Sequence, residues 1–170
     1  ILNVFRKMSR SQLNNQNIEY FLDFKKALND NISILSKWDA KDLFNLMANS
    51  LNNIDPSKIN TERELFDLTN SMLSNGIIFN RDGTITTSDF ILYIWRAFNA
   101  GEYRAIKKFT DKYLNKIPKD SLEYSEKISL AFLLFGEGKF EEVLEIITSL
   151  QHPNFILKVR MKHLKAKCLY

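Results

Sequence analysis

Ile91-x-x-Ile94-Trp95-x-x-Phe98-x-x-Gly101-x-Tyr103 is followed, 37 residues on, by Ile128-x-x-Ala131-Phe132-x-x-Phe135-x-x-Gly138-x-Phe140. Apolar residues three and four apart share one face of a helix. A glycine at the end of such a run, two residues before an aromatic, marks a helix end and a tight turn into the next helix. Recurrence of the whole unit at a period of a few tens of residues is the signature of stacked repeats, which bury their apolar faces on one another. The spacing predicts helices over about 88–100, 102–117, 121–136, 139–151 and 154–170. These make hairpins at 88–118 and 121–153, with a further repeat opening at 154.

The second helix of each pair repeats the logic. Tyr103, Ile106, Phe109, Tyr113 and Ile117 form one stripe, and Phe140, Val143, Ile146, Ile147 and Leu150 form its counterpart. Stripes of this kind are packing surfaces. Pro118 and Pro153 are expected to stop these helices, because proline lacks the N–H that an interior turn needs. Ahead of the repeats, residues 1–10 read as the tail of a helix and Ser9 to Asn17 as a polar connector. A helix is expected from Ile18 to about Asn29, and another after Asp39 as its N-cap, closed by Asp55-Pro56. Thr61-x-x-Glu64 reads as a capping box opening the next helix, which Asn75-Gly76 ends. Residues 77–86 change period around Asp82-Gly83 and read as a small β-hairpin or an extended loop. Thr87 or Ser88 is the expected cap of the first repeat helix.

Gly101-Glu102-Tyr103 and Leu134-Phe135-x-x-Gly138-Lys139-Phe140-Glu141-Glu142-Val143-Leu144 resemble the turn of a tetratricopeptide (TPR) unit, and the chain is similar to uncharacterised bacterial TPR-like proteins with degenerate repeats. The resemblance implies an all-α, right-handed α-solenoid of antiparallel helix hairpins, a single such array over 1–170, and a protein or peptide as partner. It is clear over 88–153; the N-terminal half fits only as helix pairs without the signature. The family places small residues where helices cross, whereas here those places hold Ile94, Ala131, Ile106 and Val143. Bulk at a crossing pushes helices apart, so the groove of a standard TPR array is not implied. No family peptide-binding residue carries over.

Composition restricts the chemistry. Apolar residues at 45% and charged ones at 26% are ordinary for a globular chain. No apolar run approaches the ~20 residues that a membrane-spanning helix needs. The chain begins at Ile1 and stops inside a helical pattern, so it is expected to be a piece of something longer. Cys168 stands alone, which excludes an intrachain disulfide and leans towards a cytoplasmic location. Aligned on an EF-hand with Gly83 at loop position six, Asn80 and Asp82 fall on ligand positions, but Ile78 falls where the first carboxylate belongs and Asp89 where a glutamate is usual. His152, His163 and Cys168 match no zinc spacing. Gly136-Glu137-Gly138 before Lys139 follows no strand, so it reads as a turn and not a phosphate loop. No catalytic, metal or cofactor residue is assigned, and no enzyme activity is expected.

Charge is balanced over residues 1–153, whereas 154–170 carry Lys158, Arg160, Lys162, Lys165 and Lys167 with no acid. On a helix Lys158, Lys162 and Lys165 share a face, with Arg160 and Lys167 to the side, beside an apolar stripe of Leu157, Met161, Leu164 and Cys168. These five are the candidate contacts to an anionic partner. The bland reading is a solvated face whose unseen neighbour is acidic. The expected function is a non-enzymatic protein–protein interaction or scaffold module. Two alternatives stand beside it: a nucleic-acid-binding or regulatory solenoid using the basic helix, and an accessory helical domain of a larger enzyme.

Overall fold

The structure, a computed structural model, describes residues 1–14, 16–151 and 155–170. Among them the chain is all-helical, without a strand, and divides into two compact units, Ile1–Asn80 and Arg81–Tyr170. His152 and Pro153, and with them the expected stop of the second hairpin, lie outside the described residues.

The first unit holds α1 (Leu2–Leu13), α2 (Ile18–Asn31), α3 (Lys37–Leu51) and α4 (Thr61–Ser74). Helix α1 packs on α2 and α3, α2 on α3, and α3 on α4. Phe21, Phe24, Leu28, Leu43, Phe44 and Met47 fill the core, with Val4, Leu51, Leu68 and Met72 around them. The expected polar connector at Ser9–Asn17 is helical as far as Leu13. A tertiary contact explains the difference: Ser11 is buried, and the Gln12 side-chain amide donates to Ser50 Oγ at 2.7 Å. Ion pairs Lys7–Asp23 and Lys25–Glu64 tie α1 to α2 and α2 to α4.

Three caps fall upstream of the residues expected from sequence. Ser36, not Asp39, caps α3 by accepting the Asp39 N–H at 3.1 Å, while its hydroxyl donates to the Asp39 carboxylate. Asn60, not Thr61, caps α4 through the Arg63 N–H, and Thr86 caps the first repeat helix through the Asp89 N–H. The reason is common to all three. A cap lies outside the helix and reaches two or three residues inward, so the first polar residue of the run takes the role. Asn75-Gly76 ends α4 as expected, with Gly76 at φ 67° and the Ile77 N–H returning to the Met72 carbonyl.

Residues 77–86 form turns and irregular backbone; the hairpin pairing is absent there. Asp82 accepts from both the N–H and the hydroxyl of Thr84, which holds its carboxyl below the usual range. Ile85, fully buried, donates its N–H to the Lys116 carbonyl at 2.8 Å.

The second unit holds α5 (Thr87–Asn99), α6 (Tyr103–Tyr113), α7 (Leu122–Gly136), α8 (Phe140–Ser149) and α9 (Phe155–Leu169). Helix α5 packs on α6 and α7, α6 on α7, α7 on α8, and α8 on α9. The two repeat turns have the same hydrogen bonds. Gly101 N–H reaches the Phe98 carbonyl and Glu102 N–H the Ala97 carbonyl; Gly138 reaches Phe135 and Lys139 reaches Leu134. This is the Schellman closure, which needs a left-handed residue, and the glycines supply it at φ 74° and 75°. Helix α6 ends at Tyr113 and tightens into a 3-10 turn over Leu114–Lys116 before Pro118. Ile94, Ile106, Ala131 and Val143, which the resemblance would put at helix crossings, are all fully buried.

Candidate functional site

Helix α9 forms because Leu157, Met161 and Leu164 recur at i, i+4 and i+7 and are buried in the unit, where α9 packs on α8. The five candidate cations ride on the rest of its circumference, and the structure sorts them into two groups.

Arg160 and Lys167 turn towards α5. The Arg160 guanidinium stands 5.7 Å from the Trp95 ring centre, and Lys167 Nζ stands 4.9 Å from that of Phe98. His163, between them in sequence, meets Trp95 edge-on at 5.5 Å. Arg160 is half-buried, and the loss of water draws its pKa below the usual guanidinium value. Cations over aromatic faces gain ~0.5–2 kcal/mol, more as water is excluded. These contacts fasten α9 to α5 as well as to α8.

Lys158, Lys162 and Lys165 lie on the other flank, exposed. They rim a groove of ≈ 230 Å³ between α8 and α9, whose apolar surface comes from Ile147, Leu150 and Met161. Among the described residues no carboxylate lies within ion-pair distance of any of the three. Other lysines of the unit do have such partners: Lys107 pairs with Asp111 at 3.6 Å, Lys127 with Glu123 at 2.6 Å, and Lys139 with Glu137 at 2.7 Å.

Sequence reasoning read one apolar stripe on α9 and missed a second. Phe155 is 78% exposed, Ile156 62% and Val159 47%. The signal was available, since Phe155-Ile156-Leu157-x-Val159 places apolar side chains around more of the helix than one buried face accommodates. Cys168, half-buried and unpaired, has its thiol pKa raised by burial, which disfavours the reactive thiolate.

The larger concavities are elsewhere, in the first unit. One of ≈ 720 Å³ runs past Asn14, Gln16, Asn17 and Lys58; another of ≈ 740 Å³ lies along residues 51–62. Some of their polar groups are committed to local structure. Asn17 and Asn60 cap helices, and the Ser57 N–H donates to Asp55 at 2.9 Å. Among the described residues no three His, Cys, Asp or Glu side chains gather at metal-binding distance. No helix of the described residues is long and apolar enough to cross a membrane.

Comparison with family models, curated proteins and solved structures gave no match for this chain.

Proposed function

We propose that this chain is a TPR-like α-solenoid module that binds a protein partner and carries out no chemistry of its own. The observation that carries the reading is the double hairpin. Two helix pairs of one period have the same hydrogen-bonded turn, and each helix from α5 to α8 packs on its successor. Sequential packing of like units is how solenoids are built, and their extended faces suit the gripping of peptides and helices. The resemblance of the Gly-x-aromatic turns to TPR units supports the same reading, although the bulky crossing residues make this a divergent member.

Two measurements test it. In an experimental structure, α5–α6 should superpose on α7–α8 by a rotation that also carries α7–α8 towards α9; hairpins that do not superpose would sink the solenoid reading. Affinity capture with the purified chain, followed by titration of the retained protein in purified form, should give saturable binding. Catalytic turnover by the purified chain alone would contradict the binding role.

A nucleic-acid reading is favoured by one observation, the three lysines of α9 that have no carboxylate partner among the described residues. It requires affinity for labelled DNA or RNA that falls steeply with salt.

A further inference from the structure

We propose that the outward side of α9, with the groove it forms against α8, is the docking site for an acidic amphipathic helix of a partner protein. The inference rests on the interaction-module reading and adds the chemistry of the partner. Helix α9 is apolar on two sides. Leu157, Met161 and Leu164 are buried in the unit; Phe155 and Val159, about half a turn round from Leu157, are exposed. A helix with two apolar sides is one that is covered on both. Phe155 is of the aromatic type enriched at protein interfaces.

Charge says what covers it. Lys158, Lys162 and Lys165 follow the groove rim at i, i+4 and i+7. Like charges at that spacing repel one another and disfavour the helix. Nothing on α9 offsets this, because the helix contains no acid. Carboxylates repeating at the same spacing on a facing helix would pair with all three, while an apolar side chain of that helix entered the groove over Ile147 and Met161.

Two other anionic partners fit less well. Single-stranded nucleic acid binds where successive bases can stack on aromatic rings; the groove is lined by none, and the outward side of α9 offers the single ring of Phe155. The aromatic faces that α5 turns to α9, Trp95 and Phe98, already carry Arg160 and Lys167. A bilayer takes up helices whose polar face is free to stay in water. On α9 the side opposite Phe155 and Val159 is packed in the unit, through Leu157, Met161 and Leu164.

The test uses the whole chain and three labelled synthetic peptides, read by fluorescence anisotropy. The first carries leucines at i, i+4 and i+7 with glutamates between. The second has the same composition in permuted order, and the third replaces each glutamate by lysine. The first should bind at least about tenfold tighter than the second, because only it presents an apolar stripe. The triple change Lys158→Glu, Lys162→Glu and Lys165→Glu should weaken it about thirtyfold, as three exposed pairs are lost, and should create affinity for the lysine peptide. Phe155→Ser with Val159→Ser should weaken it about tenfold with the thermal midpoint unchanged. A control reversal at Lys107, Lys119 and Lys127 should leave binding as it was. Equal binding of the permuted peptide, or a triple reversal without the charge swap, would overturn the proposal. So would tighter binding of a single-stranded oligonucleotide or of phosphatidylserine vesicles with the same lysine dependence. Failure of this site and failure of the module reading are separable. A captured protein held equally well by the triple-reversal chain removes only the site; no captured protein for any form removes the module.

Discussion

The hairpins α5–α6 and α7–α8 share a turn but differ in what surrounds it. Both glycines sit at the same φ, make the same pair of backbone bonds and have open space where a Cβ would stand. The aromatics that follow them part company. Tyr103 lies against Gly136 of the second hairpin so closely that a Cβ there would stand 2.5 Å from its ring. Phe140, its counterpart, packs on Phe135 but stays 37% exposed. The turn is a local device, fixed by one left-handed glycine. The aromatic is a stacking device, and its burial depends on whether another hairpin lies over it.

Changes at the shared core should be the largest. Phe132 is fully buried and meets Phe98 at 4.7 Å, so Phe132→Ala should cost about 3–5 kcal/mol in chemical denaturation. Trp95→Ala should cost less, about 2–3 kcal/mol, because Trp95 is only half-buried. Unchanged stability in both would mean that the repeat is misaligned.

Next come the residues where the hairpins differ. Gly136→Ala should destabilise by about 1–3 kcal/mol through overpacking against Tyr103, despite alanine's better helix propensity. The same change at the equivalent Asn99 should stay within about 0.5 kcal/mol. In a double-mutant cycle Tyr103→Ala should relieve most of the Gly136→Ala penalty; additive effects would remove the stacking account.

Where the hairpins agree, the effects should be smaller and matched. Gly101→Ala and Gly138→Ala should each cost about 1 kcal/mol, since both force a side chain into the left-handed region. A large difference between them would show that one turn is held by more than its glycine.

The last effect appears only in alkali. Burial pushes Tyr93 in the first hairpin and Tyr124 in the second up to about 12. Unfolded tyrosine ionises near pH 10, so each buried neutral phenol contributes stability that is complete below pH ~10 and lost as pH rises towards 12. Tyr93→Phe and Tyr124→Phe should each flatten the fall of stability above pH ~10 by a similar amount, measured by urea melts across that range.

Particular residues show where sequence reading held and where it stopped. The glycine turns after residues 76, 101 and 138 were legible because positive φ is a property of one residue and its neighbours. The caps were read too far inward, at Asp39, Thr61 and Thr87 or Ser88, since spacing alone does not say where the first turn closes. The α1 extension past Ser9 was not legible at all, because Gln12 finds Ser50 from 38 residues away. At the candidate site the five cations were visible as a run. Their division between the aromatic faces of α5 and the groove beside α8 was not, because it depends on which helices α9 lies against.

By itself, then, the sequence determined the recurrence of the glycine turns and the buried stripe of each helix from α5 to α9, all of which follow from interactions within a few residues. The tertiary structure decided that Gly136 must lack a side chain, that Arg160 and Lys167 lie over aromatic rings, and that Phe155, Val159 and three lysines face outward. Those outcomes depend on surfaces brought together from distant parts of the chain, and burial and charge pairing are settled only where those surfaces meet.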